Sequence, residues 1–294
     1  MELKEYLRGE IFEEAELGYI TLDERDRRLA VFDDGLDNAQ AVQSGSAALG
    51  APASPNESQV EELEGNIIAW RDRAAGSESD VLVYAAKPRE GESLPGVIVI
   101  HENKGLVPYV EDVARRFARE GYVAVAPDLL SRRGGTGSFS DSADATTALG
   151  TIGRDELVED LITAVSFLAR DESVSAQRIG VVGFCFGGGM AWRLITKDAR
   201  IRAAVPFYGP NPPLEDVPKI QASVLGIYGS LDDRINAGID DIKAAMAEHN
   251  KVFEEVVYPG AQHAFHNDTN PDRYHRDASI DAWRRTLDWL SRWL

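Results

Sequence analysis

Cys185 is the residue whose type and setting point most directly to chemistry. It is the single cysteine of the 294-residue chain, and Gly183 and Gly187 stand two residues to either side of it. A nucleophile elbow has this spacing, because a strand and a helix pack closely around a strained turn and leave no room for neighbouring side chains. The helix that follows would direct backbone N–H groups at the thiol and favour the thiolate. A glycine-rich packing turn with a buried, inert cysteine is the alternative interpretation.

Two further residues could complete a catalytic triad with this cysteine. Asp232 follows an apolar segment that ends at Gly229, and His263 follows another that ends at Tyr258. A histidine can take the proton of a thiol, and a carboxylate on its other nitrogen fixes the tautomer and stabilises the imidazolium. The order nucleophile, acid, histidine, each just past a strand, is that of α/β-hydrolases. Taken singly, a loop aspartate is usually a turn residue and a loop histidine is often only solvated.

The elements that must position these residues alternate between strand and helix from about residue 66. An antiparallel strand pair is predicted first, and apolar strands alternating with amphipathic helices follow it. This pattern predicts the α/β class, with a mostly parallel sheet covered by helices on both faces and sites at the carboxyl ends of the strands. The predicted strands are 67–70, 81–86, 97–100, 122–126, 179–182, 203–208, 224–228 and 253–258. The predicted helices are 109–120, 157–168, 186–197, 236–249 and 279–293, and residues 131–151 are predicted to form a long loop.

From about residue 66 to residue 294, the chain resembles the dienelactone hydrolase family, a branch of the α/β-hydrolases that uses cysteine. The resemblance rests on four short segments taken together. They are Gly183-Phe184-Cys185-Phe186-Gly187-Gly188, Asp232 in Gly-Ser-Leu-Asp-Asp, His263 in Ala-Gln-His-Ala-Phe, and His101-Glu102-Asn103 after the predicted strand 97–100. The resemblance implies the α/β-hydrolase fold and hydrolysis of ester or lactone bonds.

The resemblance also implies roles for residues outside the triad. A glutamate at the position of Glu102 contacts the nucleophile in the family and takes part in its activation, although a capping or salt-bridged carboxylate is the alternative. The backbone N–H groups of Phe186 and Asn103 are implied as the oxyanion hole. Arg132 matches the first of two arginines that hold the carboxylate of the dienelactone. The second should stand four residues after the histidine, where this chain has Asn267, so small neutral esters or lactones are expected to be hydrolysed at least as efficiently as the anionic dienelactone.

Other candidate residues have structural interpretations beside the functional ones. Trp192 and Tyr208 stand near the elbow or at a strand end and could line the pocket or pack in the core. His266 and His275 are expected to be exposed or capping histidines, since no spacing of His263 with them makes a convincing zinc site. No metal and no organic cofactor is expected.

Composition limits the partners and the organisation. The formal net charge of -18 argues against nucleic acid and anionic membrane as partners, because both need clustered Lys and Arg. No apolar run has membrane-spanning length, and a single cysteine allows no internal disulfide, so a soluble cytoplasmic protein is expected. Residues 1–65 are assigned to an N-terminal extension, with helices at 2–16 and 22–32 and a linker at 34–59, and residues 66–294 to the hydrolase domain.

The function expected from these features is that of a carboxylic ester hydrolase acting on small esters or lactones through Cys185, His263 and Asp232. Another hydrolytic activity on the same fold, such as a peptidase or an organophosphate esterase, is one alternative, because function resides in the site and not in the fold. A non-catalytic binding protein with a vestigial triad is another. The natural substrate and the oligomeric state stay open, a homo-oligomer included.

Overall fold

The computed structural model describes residues 61–294. The helices predicted at 2–16 and 22–32 and the linker at 34–59 lie outside the described residues. A three-residue strand, β1 (Glu61–Leu63), begins the described part.

From Ile67 onwards, eight strands form one sheet in the order β2-β3-β5-β4-β6-β7-β8-β9. β2 pairs antiparallel with β3, and β3 pairs antiparallel with β5. All other neighbouring strands of this sheet run parallel, from β5 through β9. The strands are β2 (Ile67–Ala74), β3 (Val81–Pro88), β4 (Leu94–Ile100), β5 (Val123–Pro127), β6 (Val174–Phe184), β7 (Ile201–Phe207), β8 (Ser223–Gly229) and β9 (Phe253–Tyr258). The prediction of a mostly parallel α/β fold is confirmed.

Helices cover both faces of this sheet. They are α1 (Pro108–Arg119), α2 (Ser142–Gly150), α3 (Arg154–Ala169), α4 (Phe186–Ile195), α5 (Asp233–Asn236), α6 (Ile239–Glu248) and α7 (Arg276–Trp293). On one face α1 and α7 meet, with the rings of Phe117 and Trp283 centred 4.5 Å apart. On the other face α3, α4 and α6 contribute buried side chains to the main hydrophobic core. Within residues 61–294, no helix combines the length and the apolar character that a membrane crossing requires.

Burial on both faces explains why the central strands read as continuous apolar runs. All five residues of β5 and all seven of β8 are buried. A parallel strand between two helical layers has no solvated face, so it shows no alternation of polar and apolar residues. Because β4 and β6 to β9 run parallel, the carboxyl ends of β4, β6, β8 and β9 lie at the same edge of the sheet. A site is expected at that edge.

One local prediction was wrong, and one short helix was missed. Residues 131–151 are not a long loop, because two short 3-10 turns (Ser131–Arg133 and Thr136–Ser138) and helix α2 occupy most of this stretch. Asp141 caps α2 by accepting a hydrogen bond from the backbone N–H of Ala143, and tertiary burial of apolar side chains stabilises the helix despite its polar composition. The helix predicted at 236–249 is present as α6, which begins three residues later, and the four-residue helix α5 before it was not predicted.

Candidate active site

A tight turn between β6 and α4 holds Cys185. The backbone of Cys185 has φ 56° and ψ -113°, a strained conformation for a residue with a side chain. The two flanking glycines make this turn feasible. A Cβ at Gly183 would lie 2.1 Å from the carbonyl oxygen of Gly187, and one at Gly187 would lie 2.4 Å from that of Ile100. Strand β4, strand β6 and helix α4 therefore meet more closely than any side chain would allow.

Three predicted residues converge at this edge of the sheet. The Nε2 atom of His263 lies 3.0 Å from the Sγ atom of Cys185, and Nδ1 of His263 contacts Oδ2 of Asp232. Because a carboxylate only accepts hydrogen bonds, Nδ1 carries the proton and Nε2 presents its lone pair to the thiol. The three residues come from the ends of β6, β8 and β9, which are separate in sequence but adjacent at the parallel sheet edge.

The electrostatic environment of Cys185 differs from the one that the sequence predicts. Burial raises the pKa of the Cys185 thiol to about 11, and the nearby charge of Glu102 acts in the same direction. The backbone N–H of Phe186 opposes this rise, as expected from the start of a helix. The helix start therefore favours the thiolate as predicted, but burial outweighs that contribution and the pKa of the thiol lies above its ordinary value.

Glu102 lies in the loop after β4, buried beside the thiol. Its Oε2 atom accepts a hydrogen bond of 2.8 Å from Nδ2 of Asn267, and Oε1 is buried without a hydrogen-bond partner among the described residues. Burial raises the pKa of Glu102, whereas the Asn267 amide and the neighbouring His263 lower it. Because burial favours the neutral form, the Glu102 carboxyl group takes up a proton more readily than an exposed glutamate, and its unpaired oxygen can carry that proton.

The two residues implied as the oxyanion hole belong to two segments, the first turn of α4 and the loop after β4. The N–H of Phe186 points towards the thiol of Cys185, at the first turn of α4. Asn103 follows Glu102, and its carbonyl oxygen accepts a hydrogen bond of 3.1 Å from the hydroxyl of Thr146 in α2. Helix α2, which the sequence did not predict, therefore borders the loop that carries Asn103.

His101 is a supporting residue to which sequence reasoning gave no role. It is fully buried, its Nδ1 donates to the carbonyl oxygen of Glu102 at 2.5 Å, and its Nε2 accepts the N–H of Leu129 at 3.0 Å. Burial lowers the pKa of His101, which matches its use as a neutral donor and acceptor. The ring thus joins the Glu102 loop to the segment after β5. Its position directly before Glu102 was the available signal, but the sequence does not show which backbone groups it bonds.

His266 is not the exposed histidine that was expected. It is buried, stacks on Phe184 with ring centroids 5.2 Å apart, and its Nδ1 lies 2.6 Å from the hydroxyl of Tyr109. Burial lowers the pKa of His266 to about 3, so the ring is neutral at physiological pH. His275 does act as a cap, as predicted, since its Nδ1 accepts the N–H of Ala278 at the start of α7.

The loop that carries His263 is also held by an ion-pair cluster. Arg116 in α1 bonds Asp268 at 2.5 Å through Nη2 and Asp112 at 2.6 Å through Nε. The side-chain oxygen Oδ1 of the adjacent residue Asn267 accepts the N–H and the hydroxyl of Thr269, and its Nδ2 donates to Glu102. Asn267 and Asp268 are thereby attached to the loop after β4 and to α1, which limits the movement of the His263 loop.

Arg132 does not present a free cation to a substrate. Its Nε atom bonds both carboxylate oxygens of Asp160, at 2.9 and 3.1 Å. Glu78, Glu156 and Glu159 each place a carboxylate oxygen 3.6 Å from its guanidinium. The structure therefore corrects the expectation that Arg132 binds substrate: the charge is already more than neutralised by its own neighbours.

The two aromatic candidates also differ from the prediction of a pocket lining. Trp192 is fully buried in the main core, with its ring centred 5.8 Å from that of Phe253, so the pocket interpretation of Trp192 is wrong. Tyr208 is near the site, since its ring lies 5.1 Å from the His263 ring. It is fully buried, however, so it packs against the His263 ring and offers no surface to a substrate. Within residues 61–294, no group of three or more His, Cys, Asp or Glu side chains is arranged to hold a metal ion.

Comparison with known proteins identifies the family of the chain. The sequence model of the dienelactone hydrolase family matches residues 81–294. A protein of Salmonella typhimurium that is provisionally named carboxymethylenebutenolidase is 31% identical over 262 residues, covering 85% of this chain and 96% of its own length. A Bradyrhizobium protein assigned provisionally as a 2-oxo-3-(5-oxofuran-2-ylidene)propanoate lactonase is 33% identical over 236 residues, covering 76% of this chain and 93% of its own.

Solved structures of other proteins share the fold of this chain. A crystal structure from Klebsiella pneumoniae, provisionally named dienelactone hydrolase, superposes with a TM-score of 0.71 at 30% identity, covering 77% of this chain and 99% of that one. A metagenomic dienelactone hydrolase-like promiscuous phosphotriesterase, P91, shares the fold alone, with a TM-score of 0.69 at 22% identity, covering 78% of this chain and 99% of that one. The chain belongs to the dienelactone hydrolase family of α/β-hydrolases, whose members are hydrolases of lactone and ester bonds.

Proposed function

We propose that this chain is a carboxylic ester hydrolase that cleaves small esters or lactones through a Cys185–His263–Asp232 triad and a covalent acyl-enzyme. One observation carries the proposal: the 3.0 Å approach of Sγ of Cys185 to Nε2 of His263, with Asp232 on the other ring nitrogen, at a nucleophile elbow. Membership of a family of lactone and ester hydrolases supports the same reaction class.

The first step is attack by the sulfur on the substrate carbonyl carbon. The thiol is protonated at neutral pH, because burial raises its pKa to about 11, so the nucleophile must lose its proton as it attacks. His263 accepts that proton on Nε2 and becomes an imidazolium. Asp232 stabilises the positive ring through Nδ1 and keeps the acceptor nitrogen turned towards the sulfur.

The carbonyl oxygen gains negative charge during the attack. The N–H groups of Phe186 and Asn103 are the donors proposed to stabilise it, one from the residue after the nucleophile and one from the loop after β4. Collapse of the tetrahedral intermediate breaks the carbon–oxygen bond, and His263 returns its proton to the leaving alkoxide. Water, deprotonated by His263, then attacks the thioester, and the thiol is released together with the carboxylic acid.

Glu102 is proposed to influence the activation of the thiol. A carboxylate beside the sulfur disfavours the thiolate, whereas a carboxyl group that takes up a proton removes that penalty. The buried oxygen of Glu102 that has no hydrogen-bond partner among the described residues is the one available for such a proton. A purely structural role, in which Glu102 only anchors Asn267, is the competing interpretation.

The test is a pre-steady-state burst with 4-nitrophenyl acetate, together with mass spectrometry of the quenched protein. We expect a burst close to one equivalent and an adduct of one acetyl group on the peptide that contains Cys185. Cys185→Ala should abolish both, and alkylation of the single thiol by iodoacetamide should do the same. Full activity after complete alkylation would remove Cys185 from the mechanism.

The same preparation separates the alternatives. A panel containing an aryl ester, a lactone, a peptide anilide and an aryl phosphotriester distinguishes an ester hydrolase from a peptidase or an organophosphate esterase. Turnover confined to the peptide or the phosphotriester would contradict the proposal. No turnover and no adduct with any member of the panel would favour a binding protein.

A further inference from the structure

The second proposed oxyanion donor, the N–H of Asn103, belongs to the peptide group that joins Glu102 to Asn103. In a planar trans peptide the C=O and the N–H point in opposite directions, and the described part of the chain contains no cis peptide bond. Whatever holds the carbonyl oxygen of Glu102 therefore also sets the direction of the Asn103 N–H. That oxygen is held by His101, whose Nδ1 atom lies 2.5 Å from it.

The second ring nitrogen of His101 determines which nitrogen carries the hydrogen. Nε2 lies 3.0 Å from the backbone nitrogen of Leu129, which can only donate, so Nε2 accepts and the hydrogen of the neutral ring is on Nδ1. The ring is fully buried, and burial lowers the pKa of His101, so the neutral form is present at pH 7. Only this tautomer satisfies both contacts, and in it His101 donates to the carbonyl oxygen of Glu102.

The segment that contains Leu129 is itself held in place. The carboxylate of Asp128 accepts the N–H of Leu130 at 3.0 Å and the N–H of Thr136 at 2.6 Å, which organises the turn after β5. Leu129 is fully buried within this turn. The ring of His101 thus contacts a fixed backbone group, and the hydrogen bond that it donates on its other side has a fixed direction as a result.

The main chain of His101 also lies against the nucleophile elbow. A Cβ at Gly187 would lie 2.5 Å from the carbonyl oxygen of His101, so these two backbones touch at the first turn of α4. Gly187 directly follows Phe186, the other proposed donor. This close contact brings the loop that carries Asn103 to the helix start that carries Phe186.

Asn103 has an available donor and a partly fixed acceptor. Its N–H donates to no backbone or side-chain acceptor within residues 61–294, as an oxyanion donor requires before substrate binds. Its carbonyl oxygen lies 3.1 Å from the hydroxyl of Thr146, but that hydroxyl also lies 2.8 Å from the carbonyl oxygen of Ser142. Because a hydroxyl has one hydrogen, Thr146 holds Asn103 less firmly than His101 holds Glu102.

We propose that His101 is a positioning residue for catalysis, which acts through the Glu102–Asn103 peptide and directs the Asn103 N–H towards the oxygen that becomes negative during attack by Cys185. The inference rests on the proposed ester hydrolase activity and adds to it a histidine that takes up no proton and contacts no substrate. Its contribution is confined to steps in which a carbonyl oxygen gains charge, namely formation and breakdown of the acyl-enzyme.

The experiment compares two neutral amides at position 101. In His101→Asn the side-chain nitrogen takes the place of Nδ1, so it can still donate to the carbonyl oxygen of Glu102. In His101→Gln the amide reaches the place of Nε2, where its oxygen can accept the Leu129 N–H, but nothing donates to Glu102. A third variant, Thr146→Val, removes the bond to the Asn103 carbonyl. Thermal unfolding of each variant reports whether it is folded.

For His101→Gln we expect kcat for 4-nitrophenyl acetate to fall about 10²-fold, the lower end of the cost of losing one oxyanion donor, with little change in KM. His101→Asn should stay within about fivefold of the wild type, because the bond to the peptide is kept. Thr146→Val should lose less than about threefold, since its bond is shared. Alkylation of Cys185 by iodoacetamide should change less than about twofold in all three variants, because displacement at a saturated carbon produces no oxyanion.

Several results would overturn the inference. Equal losses of kcat in His101→Asn and His101→Gln would mean that the buried ring acts through packing alone. A fall in alkylation that parallels the fall in kcat would mean that His101 affects the thiol and not the oxyanion. A loss in Thr146→Val as large as that in His101→Gln would assign the orientation of the loop to the Asn103 carbonyl. An unchanged kcat in His101→Gln would leave His101 without a part in catalysis.

A binding measurement keeps this test separate from the proposed function. The probe is 1,1,1-trifluoro-4-phenylbutan-2-one, which has no ester bond to cleave. The sulfur of Cys185 bonds its carbonyl carbon, the thiol proton passes to His263, and the former carbonyl oxygen carries the negative charge. The concentration that protects Cys185 from iodoacetamide should rise about 10²-fold in His101→Gln and change little in His101→Asn.

This measurement decides the role of His101 even without ester turnover. If the wild type hydrolyses no ester while the difference in protection holds, the proposed function fails and the positioning role stands. Equal protection in His101→Asn and His101→Gln, or no protection of the wild type, refutes the role.

If neither His101 variant folds, the tautomer in the intact protein provides the test. The chain has five histidines, so replacing each of the other four in turn assigns the ¹⁵N signals of the His101 ring. The hydrogen should be on Nδ1 at neutral pH. A hydrogen on Nε2, or a charged ring, would refute the proposal, because neither form can donate to Glu102 while accepting from Leu129.

Discussion

Replacement of Asp232 by asparagine tests the proposed triad most directly. The carboxylate of Asp232 fixes the proton of His263 on Nδ1 and leaves Nε2 free to accept a proton from the sulfur 3.0 Å away. An asparagine amide can donate to Nδ1 instead, which places the histidine proton on Nε2, facing the thiol. In that tautomer the ring cannot act as the base, and the imidazolium also loses its counter-charge.

The size of the effect follows from these two losses. A charge-assisted hydrogen bond to a buried group contributes about 1.5–3 kcal/mol, and the unfavourable tautomer adds a cost of similar size. Together they predict a rise of about 4–5 kcal/mol in the activation barrier, or a fall of about 10³–10⁴-fold in kcat at about 1.4 kcal/mol per tenfold.

The neighbouring Asp233→Asn is the matched control, because Asp233 is exposed and begins helix α5. We expect it to alter kcat less than about twofold, since surface substitutions rarely change more than local solvation. Steady-state hydrolysis of 4-nitrophenyl acetate at saturating substrate, with the melting temperature of each variant as a folding check, measures both values. A folded Asp232→Asn within tenfold of the wild type, or a larger loss in Asp233→Asn, would refute the assignment.

Four further outcomes are expected. Because burial raises the pKa of Cys185 to about 11, its alkylation by iodoacetamide should accelerate about tenfold per pH unit between pH 7 and 10, and a plateau near pH 8 would contradict this. Glu102→Gln removes a charge that raises this pKa, so alkylation at pH 9 should become several-fold faster while ester turnover falls; slower alkylation would argue against the electrostatic role. The pKa of His266 is lowered from 6.5 to about 3, so between these values the unfolded chain binds a proton that the native state does not, and the free energy of unfolding should decrease as the pH falls by up to about 1.4 kcal/mol per unit. Urea unfolding at pH 6.5, 5.5 and 4.5 should show a smaller pH slope for His266→Phe, and identical slopes would contradict this. A chain starting at Glu64 should keep ester hydrolase activity, because the proposed triad lies beyond it; a folded truncation without activity would assign the N-terminal region a part in the site.

Sequence reasoning identified the elbow and the order of the three triad residues because both depend on local pattern. The glycines around Cys185 must be adjacent to it in the chain, since they relieve a clash within one turn. Asp232 and His263 each follow an apolar strand directly, and parallel strands that end at one edge bring such residues together. Only the alternation of strands and helices was needed to predict that edge.

Features that depend on distant partners were mispredicted. Arg132 was expected to face a substrate, yet its nearest carboxylate, Asp160, lies 28 residues away on a helix whose packing the sequence does not specify. Trp192 and His266 have sequence positions compatible with a pocket or a surface, and tertiary burial alone decides that both are internal.

The pKa of the Cys185 thiol illustrates what the sequence determines and what the tertiary structure determines. The sequence by itself determined that Cys185 sits at the start of a helix, and a helix N-terminus favours a thiolate. Only the tertiary structure decided that the same thiol is largely enclosed and lies beside Glu102, which reverses the sign of the shift. The chain order fixes the elements, the nucleophile and the polarity of the helix, because these follow from neighbours in sequence. Desolvation and the distances between charges depend on which segments fold over the site, and so the shift in the pKa of the thiol was decided by packing.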